Sequence, residues 1–311
     1  MIITNIYAKD LVNIYRFQGI HSVEKEIENT LKDFNYWKNH LEDKNVDYGY
    51  YEYKKFILLT QKDQLELSLF EVVGNDKKLV LRNNVIVGEN QGDKYTEGDK
   101  KTPEGAYDLT EKKSNLDQFY GPFALVTSYP NTFDQSLNKN GSGIWIHGMP
   151  FNSAREKFTK GCIALDNSDL VELEKNLDIK KTVLITAQNE FKKADKDEIA
   201  MILSTVFQWR EAWRDSDING YLSFYSKDFR KSDRTGIEQF SDYKRRIFSK
   251  NETKTIKFSN IDISPYPNSI GKTMYKLAMD EEYLSPTITF NGKKELFLEI
   301  ANNEVKILSE D

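Results

Sequence analysis

Across residues 22–43 the apolar side chains Val23, Ile27, Leu31, Phe34, Trp37 and Leu41 recur at spacings of three and four. That period predicts one amphipathic helix with Ser22 as its N-cap. Leu11, Ile14 and Tyr15 predict a shorter helix before it. Near residue 62 the period changes. Leu65, Leu67 and Leu69 alternate with Gln64, Glu66 and Ser68, which is strand spacing. The turn residues Gly74-Asn75-Asp76 and Arg82-Asn83-Asn84 then set off the runs Leu79-Val80-Leu81 and Val85-Ile86-Val87, predicting two adjacent hairpins. A polar stretch follows at residues 88–105, then strand candidates at 106–109, 123–127 and 143–147. A short helix is expected at 169–177 and a closing strand at 182–185.

Beyond Phe191 a charged, linker-like segment, residues 192–198, leads into Ile199, Ile202, Leu203, Val206, Phe207, Trp209 and Trp213 at helical spacing. An aromatic second helix is expected at 218–225, and strands at 255–263, 274–283, 287–290, 294–300 and 305–308. Helices followed by antiparallel strands make a separate unit. The expected class is α+β in three parts: a helical segment over residues 1–61, a β-rich domain over 62–190, and an α+β domain over 191–311. The first part is too small to bury its apolar stripe alone. It is expected to pack on the next domain or on a second copy of itself, which predicts a homodimer.

Composition narrows the function. With 311 residues, 39% of them hydrophobic and 30% charged, the chain can build real cores. Lys+Arg 44 against Asp+Glu 49 leaves a net charge of −5, which argues against a general nucleic-acid binder. No apolar run is long enough for a transmembrane segment. The first sixteen residues hold Ile2, Ile3 and Ile6 without a sustained apolar core, so they do not read as a signal peptide. A single cysteine excludes an internal disulfide framework and a multi-cysteine metal site.

That cysteine, Cys162, stands in Thr159-Lys160-Gly161-Cys162-Ile163-Ala164, and fifteen positions earlier His147 closes the apolar run Ile144-Trp145-Ile146 just before Gly148. A nucleophilic thiol needs a base, and the base needs a neighbour that holds its tautomer. It also needs backbone N–H donors for an oxyanion, which a glycine before the nucleophile helps to present. His21 and His40 lie in the helical segment, leaving His147 as the histidine of the β block. A lone cysteine is more often a small buried hydrophobe. A glycine-flanked Cys and His in one β block favour a catalytic pair. The basic residues Arg155, Lys157 and Lys160 before Cys162 read as a solvated loop, and the aromatic stripe of Trp209, Trp213, Tyr221, Phe224 and Tyr225 as core.

The string His147-Gly148 followed by Thr159-Lys160-Gly161-Cys162-Ile163 resembles the signature of the L,D-transpeptidase catalytic domain (YkuD) family. Thr102-Pro103-Glu104-Gly105 and Tyr129-Pro130-Asn131 with Asp134 add to the likeness, over residues 62–187. The resemblance implies a β-rich fold that acts on peptidoglycan stem peptides through a cysteine acyl-enzyme, with no metal and no cofactor. Thr159 replaces the family's serine and keeps the hydroxyl. Ala164 replaces the usual arginine and cannot hold a carboxylate bidentately.

With helices before it and a helix-then-sheet domain after it, the pattern is similar to the peptidoglycan L,D-carboxypeptidases of Helicobacter and Campylobacter cell-shape determination. Those end in an NTF2-like domain and trim tetrapeptide stems to tripeptides. The resemblance implies a periplasmic enzyme with Cys162 as nucleophile, His147 as base and Gly148 orienting His147 through its carbonyl. Gly161, Thr159 and Ala164 are then the oxyanion and substrate side. An open, uncharged position at Ala164 is expected to admit water to the thioester. An L,D-transpeptidase, a peptidoglycan–lipoprotein link hydrolase and an inactive cell-wall-binding module are the alternatives.

Overall fold

The computed structural model describes residues 2–151 and 157–311, with side chains from Asp10 onward; Arg155 of the basic loop therefore lies outside the described residues. The helical opening comprises α1 (Ile2–Gln18), α2 (Ile20–Leu31) and α3 (Phe34–His40). The single helix expected over 22–43 is thus two. Asp33 is extended and its carboxylate accepts from Asn35 N at 2.8 Å, capping a new helix. Ser22 caps nothing, because α2 starts after Gly19, whose φ of +84° ends α1.

Eight strands form one sheet in the order β4-β3-β2-β9-β5-β6-β7-β8. They are β2 (Phe56–Gln61), β3 (Glu66–Val73), β4 (Asp76–Asn84), β5 (Gly105–Lys113), β6 (Ala124–Thr127), β7 (Trp145–His147), β8 (Ile163–Ala164) and β9 (Thr182–Ala187). Strand β2 lies in the middle, antiparallel to β3 and parallel to β9. It falls within the 1–61 segment because it lacks the alternation of a half-exposed strand. The reason is burial on both faces. Leu58 and Leu184 point into the interior of the sheet with Leu67, Tyr107, Ile146 and Ile163, whereas Ile57, Leu59, Val183 and Ile185 pack outward.

Only one of the two expected hairpins forms. After β3 and β4, residues 85–88 leave the hairpin and cross to the far edge, where Ile86 bridges Ala164 and Gly88 bridges Thr159. This crossing segment ties the β4 end of the sheet to the β8 edge. Helix α4 (Thr132–Ser136) packs Phe133 on the sheet's outward face, whereas helix α5 (Asn167–Lys175) sends Leu170 and Leu173 into the interior core.

The C-terminal part places α6 (Lys196–Arg214), α7 (Ile218–Ser223) and α8 (Ile237–Phe248) on a sheet ordered β1-β10-β11-β12-β13. Its strands are β1 (Tyr50–Tyr51), β10 (Thr255–Pro265), β11 (Thr273–Leu284), β12 (Thr289–Ala301) and β13 (Glu304–Glu310). The two strands expected at 287–290 and 294–300 are one. The aromatic stripe is core, with Trp209 and Tyr221 almost fully buried. Mixed helix and sheet in these three parts is the α+β organisation expected.

The two sheets share a core. The outward face of β2, β5 and β9 packs on Tyr266, Met274, Phe297 and Leu308 of the C-terminal sheet. Buried Lys276 of β11 lies 2.7 Å from both Asp108 of β5 and Glu295. The N-terminal helices dock on the C-terminal domain as well. Trp37 stacks on Phe207 of α6 at 5.8 Å, Leu41 is fully buried, and Glu28 pairs with Arg210 and Arg214. Farther toward the N-terminus the stripe is uncovered: Val12, Tyr15, Phe17, Ile20 and Ile27 are exposed, Phe17 at 79%.

Candidate active site

Parallel pairing of β7 with β8 brings the two candidate residues together. Ile146 sits opposite Ile163 and His147 opposite Ala164. Cys162 stands just before β8, two residues from Ala164, and so lies diagonally across from His147. His147 is 1% exposed, and Cys162 keeps part of its surface open.

The imidazole is held by its own strand end. His147 Nδ1 lies 2.8 Å from the Gly148 carbonyl oxygen. A carbonyl can only accept, so in the neutral ring Nδ1 carries the hydrogen and Nε2 is the basic nitrogen. The Gly148 N–H donates in turn to the Tyr120 carbonyl at 3.0 Å, and the Tyr120 ring meets His147 edge-on at 5.1 Å. Glycine is required there: a Cβ on Gly148 would stand 2.2 Å from Asn167 Oδ1. That oxygen accepts from Met149 N at 2.8 Å and so fixes the chain leaving His147. Tyr120 and Asn167 carry no motif in the sequence, and only the tertiary fold brings them here.

The nucleophile turn is pinned from inside. Thr159 Oγ1 accepts from Gly161 N at 3.0 Å and donates to the Cys162 carbonyl at 2.6 Å. Gly161 has φ +133°, and a Cβ on it would stand 2.8 Å from the Lys101 carbonyl oxygen. Cys162 Sγ lies 3.3 Å from the Gly143 carbonyl.

Three of the expected site residues take other places. The Gly161 N–H is occupied by Thr159 and does not point outward as an oxyanion donor. Thr159 is 3% exposed and braces the turn instead of meeting a substrate. Ala164 is fully buried, and its N–H donates to the Ile86 carbonyl at 2.8 Å. The open volume expected at Ala164 does not exist, because the crossing residues 85–88 fill it. We therefore expect Ala164→Arg to displace the Ile86 pairing and bury a charge without a partner, costing several kcal/mol. Melting temperature and turnover should fall together. Retained stability with an altered product ratio would instead restore a tuning role for this position.

Thr102-Pro103-Glu104-Gly105 and Tyr129-Pro130-Asn131 prove to be framework. Glu104 is buried beside Lys62, and Asn131 caps α4 with Asp134 in a reciprocal capping box. Among the described residues no group of three or more His, Cys, Asp or Glu is placed to hold a metal ion.

Residues 57–185 match the L,D-transpeptidase catalytic domain family (YkuD), and residues 201–311 match the Cds6 C-terminal NTF2-like domain. Among solved structures the chain is similar to the helical cell shape determining protein Pgp2 from Campylobacter jejuni. The two share 40% identity with a TM-score of 0.85, over 90% of this chain and 99% of that one. A single-substitution mutant of Pgp2 superposes with a TM-score of 0.87 at 40% identity, over 91% and 99% of the two chains. Bd1075 of Bdellovibrio bacteriovorus shares 26% identity with a TM-score of 0.66, over 86% and 96%. No curated protein matches the chain.

Proposed function

The chain belongs to the L,D-transpeptidase catalytic domain (YkuD) family and shares 40% identity with Pgp2 of Campylobacter jejuni, and from that premise we propose that it is a cysteine-type peptidoglycan L,D-carboxypeptidase. It removes the terminal D-alanine from tetrapeptide stems, leaves tripeptides, and so affects cell shape. The observation that carries this reading is the pairing of β7 with β8, which sets an imidazole of fixed tautomer diagonally across from the chain's single cysteine.

His147 Nε2 takes the thiol proton as the substrate displaces Sγ from the Gly143 carbonyl. The Cys162 thiolate then attacks the carbonyl at the L-centre of the third stem residue, meso-diaminopimelate. Negative charge on the carbonyl oxygen is met by the backbone at Cys162. The bond to D-alanine breaks and the imidazolium protonates the leaving amine, giving a thioester on Cys162. Water, losing its proton to His147, attacks the thioester and releases the tripeptide carboxylate and the thiol.

The hydrolytic outcome rests on the three-part layout of the L,D-carboxypeptidases that the sequence resembles, and the likeness to the helical cell shape determining protein Pgp2 spans all three parts of the chain. A transpeptidase would need an acceptor amine in place of water. Purified protein incubated with tetrapeptide muropeptides should yield tripeptide and D-alanine. Cross-linked dimers would favour the transpeptidase, and unchanged substrate an inactive binding module.

The substrate places the enzyme in the periplasm. No helix among the described residues is long and apolar enough to cross a membrane. The exposed stripe on α1 and α2 is the surface we assign to a second copy of the chain. Removing residues 1–18 should convert a dimer to a monomer in light scattering at micromolar concentration while leaving α3 docked on α6. Full-length protein that is already monomeric would overturn the dimer.

A further inference from the structure

Residues 89–104 run without helix or strand from the Gly88 bridge to β5, yet Asp93, Lys94, Thr102 and Glu104 are buried. So long an irregular connection is uncommon inside a compact domain, and its own contacts must hold it. Its last turns touch the residue before the nucleophile. The Lys101 carbonyl abuts Gly161, leaving no room for a Cβ, and Thr102 Oγ1 accepts from Gly88 N at 2.9 Å. On another side a cavity of about 330 Å³, bordered by Lys62, Gly88, Thr102 and Lys157, opens against the strap.

Hydrogen bonds from one buried lysine hold the strap. Lys62 Nζ donates to the Thr102 carbonyl at 2.9 Å, to the Gly92 carbonyl at 2.7 Å and to Glu104 Oε1 at 3.4 Å, which engages all three ammonium hydrogens. Burial pushes the Lys62 ammonium below its usual pKa and the Glu104 carboxyl above its own, while the charge of each partner acts in the opposite sense on the other.

A second buried lysine lies behind. Lys139 Nζ meets Asp93 at 2.6 Å and Asp134 at 2.9 Å, and Asp93 accepts from Glu104 N at 2.9 Å. The C-terminal domain enters this cluster directly, with Tyr266 OH 3.3 Å from Asp134 and Ser269 Oγ 3.3 Å from Asp93.

We propose that Lys62 is a positioning residue for the Cys162 chemistry, fixing residues 100–102 against Gly161, and that Tyr266 ties this strap to the docking of the C-terminal domain. The proposal rests on the cysteine-hydrolase reading for its effect on turnover, but not for its effect on the thiol. Lys62 acts through the backbone and touches no reacting atom. A small displacement of the nucleophile turn is enough to cost about a hundredfold in rate.

The test compares the full-length protein with the Lys62→Met/Glu104→Gln double variant, which removes both buried charges together, and with Tyr266→Phe, which removes one hydroxyl. Two readouts are taken: kcat and KM on tetrapeptide, and the rate at which iodoacetamide alkylates Cys162 without substrate. The double variant should lose about tenfold to a hundredfold in kcat with KM nearly unchanged, and its alkylation should slow several-fold. Tyr266→Phe should move both readouts the same way by a smaller factor. If the double variant does not fold, Lys62→Arg, which keeps the charge but not the three-point geometry, takes its place. Folded variants with wild-type alkylation and kcat would overturn the proposal. Wild-type protein inert on tetrapeptide would overturn the hydrolase reading alone, since alkylation still reports the strap.

Discussion

Cys162→Ala is expected to abolish tripeptide release, by about a thousandfold or more, without lowering the melting temperature appreciably. The size follows from the proposed chemistry. Without the sulfur no thioester forms, and no second cysteine exists in the chain to replace it. The small effect on stability follows from the surroundings. The side chain is partly exposed, and its sulfur lies 3.3 Å from the Gly143 carbonyl, a weak contact to lose. The turn is braced by Thr159 and Gly161, whose hydrogen bonds the alanine leaves intact. Tripeptide release and D-alanine release should be measured beside a thermal melt. Substantial residual hydrolysis in a folded variant would remove the acyl-enzyme from the account.

His147→Gln is expected to be almost as damaging, costing about a hundredfold to ten-thousandfold in kcat. Glutamine fills similar space and can still donate to the Gly148 carbonyl, but it carries no basic nitrogen at the position of Nε2. Stability should change by only about 1 kcal/mol, the worth of one hydrogen bond. The strand itself is held by Leu165 N donating to the His147 carbonyl at 3.0 Å, which the substitution does not touch. Because the two residues act as a unit, combining His147→Gln with Cys162→Ala should cost little more than Cys162→Ala alone. Additive losses in the double variant would show that they work separately.

How much of this was legible along the chain depended on whether local pattern or tertiary burial decided each feature. The glycine-flanked Cys162 and His147 stood out because their chemistry is rare, and pairing of β7 with β8 brings them together. Strand β2 did not stand out: Ile57, Leu58 and Leu59 are covered on both faces, which erases the alternation a half-buried strand shows. The split between α2 and α3 was hidden because the apolar spacing continues across Asp33, and only its capping bond marks the break. Helix α8 carries Ile237, Phe240, Ile247 and Phe248 at helical spacing, but with charged residues among them the segment drew no expected element.

The polar framework was the least legible. Lys62, Asp93 and Lys139 look like ordinary surface charges in a chain with 30% charged residues, and folding buries all three. Ala164 shows the converse. Its small side chain signals a departure from the family pattern, but the crossing residues 85–88 convert the expected opening into packed interior.

The claim at the centre is that water resolves a thioester on Cys162. Tetrapeptide muropeptide incubated with the full-length protein and excess acceptor peptide in 18O-labelled water tests it directly. The account predicts tripeptide carrying one 18O in its new carboxylate, with D-alanine released in equal amount. Cross-linked dimer as the main product, with no label incorporated, would contradict it.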